Sequence, residues 1–80
     1  PLTAAWVRSE PDNDEVLSPL RPKGRAGSWH VYEGPLRLNP AEDTTRYAFK
    51  VLPEGGAQRW LSELGETPYF PERAGHFRYN

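Results

Sequence analysis

Proline and glycine constrain this chain more than any other feature: nine prolines and seven glycines fall within eighty residues. Average proline usage is about 5%, and each proline removes a backbone donor and fixes φ. Nowhere does a 3.6-residue apolar period survive for three turns, so no amphipathic helix is expected. Yet ten aromatic residues are present and no low-complexity run occurs, which argues against disorder. Short strands divided by turns are the remaining solution.

The segmentation follows the punctuation. Residues 2–9 read as a strand that alternates Ala5 and Val7 against Ala4 and Trp6, ending in the turn-forming Glu10-Pro11-Asp12-Asn13-Asp14. Residues 15–20 read as a short second strand, and Pro19 places it at a sheet edge. Residues 21–27, Arg-Pro-Lys-Gly-Arg-Ala-Gly, read as a basic loop. Residues 28–33 alternate Trp29 and Val31 against His30 and Tyr32. Gly34-Pro35 then bends the chain before Leu36-Arg37-Leu38.

Residues 45–52, TRYAFKVL, form the best strand signal, with Tyr47, Phe49 and Val51 on one face and Arg46, Ala48, Lys50 and Leu52 on the other. Pro53-Glu54-Gly55-Gly56 supplies a tight turn, and residues 57–62 return as the second arm of a hairpin carrying Trp60. The window 60–64 alone could form a helical turn. Residues 64–70 read as irregular and residues 76–79 as a last strand. About six strands at this spacing suggest an antiparallel β-sandwich, one short of the roughly seven of an immunoglobulin-type fold.

A chain of this size buries only about 60% of its unfolded surface, and it has no cysteine to staple the fold. Stability must come from packed aromatics or a neighbouring domain. Ten basic residues against eleven acidic give a net charge of −1, which argues against a dedicated nucleic-acid binder. No apolar run suits a membrane span or a signal-peptide core. The absence of cysteine is compatible with a cytoplasmic protein. Opening on Pro-Leu-Thr, without methionine, the chain reads as a single domain, residues 1–80, cut from a longer protein.

No catalytic constellation emerges. There is no thiol, no serine in a nucleophile elbow, and Lys23-Gly24-Arg25-Ala26-Gly27 lacks the ending of a phosphate loop. Paired carboxylates need a pocket that a thin sandwich hardly offers. The chain is therefore not expected to be an enzyme, and no cofactor is implied. Asp12, Asn13 and Asp14, with Glu15, present calcium-type oxygens, but consecutive residues point apart and turn formation is the favoured role. Arg21, Lys23 and Arg25 beside Trp29, His30 and Tyr32 resemble a single-stranded nucleic-acid stripe; a solvated loop followed by a core strand is favoured instead. Tyr47, Phe49 and Phe77 are expected in the core. Burial is favoured for Trp29 and Trp60 as well, while Tyr69 and Phe70, between prolines, are expected to escape this chain's own core and to anchor a docking loop.

The segments Arg46-Tyr47-Ala48-Phe49-Lys50-Val51-Leu52, Gln58-Arg59-Trp60-Leu61-Ser62 with Gly65, and Val7-Arg8-Ser9-Glu10-Pro11-Asp12-Asn13-Asp14-Glu15 occur in the order found in a known family. The chain resembles, from Trp6 to Phe77, the N-terminal domain of α-amylase-family enzymes that act on short dextrins: neopullulanases, cyclomaltodextrinases, maltogenic amylases and above all bacterial maltodextrin glucosidases. Trp29 sits where that family opens a strand with tryptophan. The resemblance implies an immunoglobulin-like antiparallel β-sandwich without the family's first strand, in a parent that hydrolyses α-glucosidic bonds with barrel carboxylates. It implies as partners the catalytic barrel or a second subunit. Any sugar contact is expected to be weak and made by aromatic rings, with Trp60, Tyr69 and Phe70 as the candidates and Trp29 less favoured. A free-standing interaction module unrelated to sugars is the alternative.

Overall fold

The computed structural model describes residues 2–11 and 14–80. The chain is all-β apart from one short 3₁₀ turn at Arg73–Gly75. Its strands are β1 (Leu2–Ser9), β2 (Val16–Pro19), β3 (Arg21–Ala26), β4 (Trp29–Glu33), β5 (Thr45–Pro53), β6 (Arg59–Ser62), β7 (Gly65–Thr67) and β8 (Phe77–Tyr79). Every pairing is antiparallel. The large sheet runs β2-β1-β5-β6-β7, with β8 on β5 as well, and β3–β4 form a separate two-stranded sheet. The expected all-β, antiparallel, sandwich-like class is the observed one. Among the described residues no helix is long and apolar enough to cross a membrane.

β5 organises the large sheet because its alternation serves both faces. On one edge it pairs with β1, placing Ala5 opposite Val51, Val7 opposite Phe49, and Arg8 opposite Ala48. Along the other edge β8 pairs with its first half and β6 with its second. One face therefore collects Ala5, Val7, Val51 and the ring cluster Tyr47, Phe49 and Phe77, whose centroids lie 5.5–5.9 Å apart. Such ring pairs each add about 0.5–1.5 kcal/mol beyond the area they bury. The other face carries Ala48, Arg8 and Trp60, all buried. The predicted phase of residues 47, 49 and 51 against 46, 48 and 50 is thus the one the register adopts.

The β5–β6 hairpin closes as expected. The Gly56 amide donates to the Pro53 carbonyl at 3.2 Å, and Gly55 takes φ 72°, a left-handed conformation that costs glycine little. β2 is indeed an edge strand that ends at Pro19.

Three expectations are corrected. Residues 21–27, read as a loop, contain β3. Its side chains are exposed throughout, so no burial imposed an alternation on its sequence, and only the ladder to β4 holds it. The irregular stretch 64–70 contains β7, paired with β6 through a two-residue connection at Glu63 and Leu64. The window 60–64 makes no helical turn, because Trp60 and Leu61 pair with both β5 and β7. Among the described residues the strands therefore number eight, where about six were expected.

Ala48 is completely buried opposite Arg8. Added volume there must displace the guanidinium or the sheet, so Ala48→Leu should destabilise the domain by about 1–3 kcal/mol. Urea denaturation of the two proteins, read by tryptophan fluorescence, measures the difference.

Candidate aromatic surface

The four aromatic candidates do not form one site. Trp60, on β6, is 7% exposed: its strand lies between β5 and β7, and its ring meets Phe70 edge-on at 4.8 Å. Burial was the favoured expectation for it, and a ring so covered offers no free face for stacking. Trp29 departs from that expectation. It is 75% exposed, because β4 belongs to the two-stranded ribbon, where only Tyr32 is even half-buried. The alternation of β4 is real, but little covers it.

Tyr69 and Phe70 also part company. Tyr69 is 61% exposed, while its carbonyl accepts a hydrogen bond from the Thr67 hydroxyl at 2.7 Å. Phe70, though 46% exposed, packs on three groups of its own domain: Trp60, the His76 ring at 5.3 Å, and the Arg8 guanidinium, 4.5 Å from its centroid. Both rings stay exposed, as expected, yet Phe70 is anchored on its own domain. Its partners come from β1, β6 and the segment just before β8, which sequence neighbours do not reveal.

Arg8 is the residue that sequence reading missed. Its side chain is largely buried, donates from Nη2 to Glu10 at 2.7 Å and from Nε to Glu15, and lies against Phe70. Burial alone would lower its pKa; the hydrogen bonds to Glu15 and Glu10 outweigh that, and the pKa is raised. The available signal was an arginine in a strand with glutamates on both sides of the following turn. His76 is buried beside it, its Nε2 donating to the Pro71 carbonyl at 3.0 Å. Desolvation depresses the His76 pKa; the Pro71 hydrogen bond opposes this, and the nearby Arg8 adds to the depression.

A second feature escaped the sequence reading. Leu2, Ala5, Leu20, Phe49, Val51 and Leu61 form an open apolar depression on the large sheet, with Tyr32 of the ribbon at its rim. Tyr32 is the one ribbon residue that lines it.

Asp12 and Asn13 of the calcium candidates lie outside the described residues, and Asp14 is exposed. Among the described residues no group of three or more His, Asp or Glu is gathered as a metal centre requires. No protein-family model matches the chain. A comparison with curated proteins likewise finds no significant match.

Two outcomes follow from this geometry. Phe70→Ala should cost about 1–3 kcal/mol, since it deletes an aromatic pair and a cation–π contact, whereas Tyr69→Ala should change stability by no more than about 0.5 kcal/mol. Equilibrium denaturation separates them. For His76, a depressed folded pKa means that protonation favours the unfolded chain. Its contribution is fully present above the ordinary value of 6.5 and is lost as pH falls from there through the folded pKa. Denaturation midpoints measured against pH should fall across that window, and His76→Gln should remove that part of the fall.

Proposed function

We propose that this chain is an accessory domain of an α-amylase-family glycosidase of the maltodextrin-glucosidase or neopullulanase kind, a cytoplasmic enzyme of α-glucan metabolism. In this reading it has no chemistry of its own. It shapes the substrate cleft and makes contact with the catalytic barrel or a second subunit. The observation that carries the reading is the apolar load left outside: Trp29, Tyr69, Leu64, Tyr79 and Phe70 are exposed, and an open depression is lined by Ala5, Phe49 and Val51. Exposed apolar surface of this kind marks sites of interaction. The segments that carry the family resemblance support it too, since they fall on β1, on the β5–β6 hairpin and on β7, the frame of the large sheet.

Sugar contact, in this proposal, is weak and made by Tyr69 and Trp29, which present ring faces to solvent; Trp60 is removed from the set by its burial. The runner-up is a free-standing interaction module, which the same exposed surface would suit. A longer gene sequence that encoded a (β/α)₈ barrel after residue 80 would favour the glycosidase parent.

Titration with maltotriose, followed by amide shifts, tests the sugar contact. Shifts should cluster at Tyr69 and Phe70 or at Trp29, with millimolar-range affinity (about −4 kcal/mol). Shifts confined to other residues, or none at all, would remove sugar binding from the proposal. The purified chain should release no glucose from maltotriose; turnover abolished by replacing one of its own carboxylates would overturn the non-catalytic reading.

A further inference from the structure

We infer that β4 is a self-pairing edge through which two copies of this chain join their β3–β4 ribbons into one four-stranded antiparallel sheet. The inference deepens the subunit-contact part of the function proposed above, but it does not need the sugar chemistry.

A strand edge left open invites another strand, and proteins guard such edges with proline, bulges, charge or brevity. Among the described residues, the other edges carry those guards. β2 has four residues and ends at Pro19, and β7 and β8 have three each. The first residues of β1 run past β2 only as far as Ala5, whose carbonyl accepts from the Leu20 amide at 2.8 Å. β3 is guarded three times over: Pro22, a register shift between Pro22 and Gly24 with Gly24 at φ 136°, and the cations Arg21, Lys23 and Arg25.

β4 carries one of these guards, the charge of Glu33, and that carboxylate is already paired with Lys23. Trp29-His30-Val31-Tyr32-Glu33 is a five-residue run of high β propensity, paired on one side only, with Trp29 75% and Val31 37% exposed. An isolated two-stranded ribbon is marginal in water, so a second ribbon supplies what this one lacks.

The sequence of β4 is complementary to its own reverse. A two-fold axis at Val31 pairs all five residues, setting Val31 against Val31, His30 against Tyr32, and Trp29 against Glu33. No like charges meet across the axis. Glu33 already accepts a hydrogen bond from Lys23 Nζ at 3.1 Å, so Trp29 meets a neutralised carboxylate and lies diagonal to the second Val31. Aromatic and β-branched neighbours of this kind are the units that stabilise antiparallel sheets.

The chain contains no cysteine, so a single introduced thiol reports the register cleanly. At the two-fold, residues 31 of the two copies lie about 4.5–5.5 Å apart, whereas residues 30 are diagonal at about 7–8 Å, beyond disulfide reach. Under mild oxidation Val31→Cys should form covalent dimer at least about tenfold faster than His30→Cys. In sedimentation of the cysteine-free chain, association should grow with concentration up to about 1 mM, and Val31→Lys, which opposes two charges at the axis, should abolish it. Equal cross-linking by the two cysteine variants, association untouched by Val31→Lys, or a chain monomeric throughout that range would each overturn the inference. None of these measurements involves a sugar, so their failure is separate from failure of the glycosidase reading.

Discussion

The antiparallel pairing of β1 with β5 is the contact on which the rest of the fold depends. It sets Val7 against Phe49 and Ala5 against Val51 on one face, and Arg8 against Ala48 on the other. A shift of one residue would exchange the two sets and bury lysine and arginine where the rings now sit. β5 then has an edge left for β6 and β8, which add Trp60 to one face and Phe77 to the other. An eighty-residue chain without disulfides has little else to draw on, so this strand pair and its aromatic cover carry most of the cooperativity.

On the second face the sheet meets a charge. Arg8 is buried between two glutamates and the ring of Phe70, and His76 closes the group. The ion pair is poor evidence of stability, because both glutamates are partly exposed and solvent screens the attraction. Its effect here is to make the loop from Pro68 to His76 specific: Phe70 has one seat, formed by Trp60, Arg8 and His76. That loop is further tied by the Gly75 amide to Glu72 and by Arg46 to the Arg73 carbonyl. Tyr69, one residue away, has no comparable seat and points out. The aromatic surface of the domain is thus divided between rings that hold the fold and rings free to meet something else.

The ribbon β3–β4 stands in a different position. Its cations and turn glycine make it look like a loop in sequence, and its exposure confirms that little packs against it. Tyr32, at the rim of the apolar depression, is its main link to the large sheet. The ribbon is exposed, and the apolar depression beside Tyr32 lies open.

Strand class, the β5–β6 hairpin with its Pro-Glu-Gly-Gly turn, the phase of Tyr47, Phe49 and Val51, and the edge position of β2 were all legible from residue type and spacing. Each rests on a local rule: period two, a proline without a donor, a glycine at positive φ. β3 was not legible, because a strand exposed on both faces carries no alternation. The candidate site was legible only as a set of aromatic residues, not as an arrangement. Trp29 and Trp60 each sit in a short strand and look alike in sequence, yet one is exposed and the other buried. What separates them is the sheet each strand joins, a matter of pairing between segments far apart in the chain. The same holds for Arg8 and Phe70, 62 positions apart, whose contact exists only once β1 and the loop before β8 lie on the same face. Local sequence determined most of the segments that extend, β3 and β7 excepted, and where the β5–β6 hairpin turns; long-range pairing decided which of the aromatic side chains water can reach.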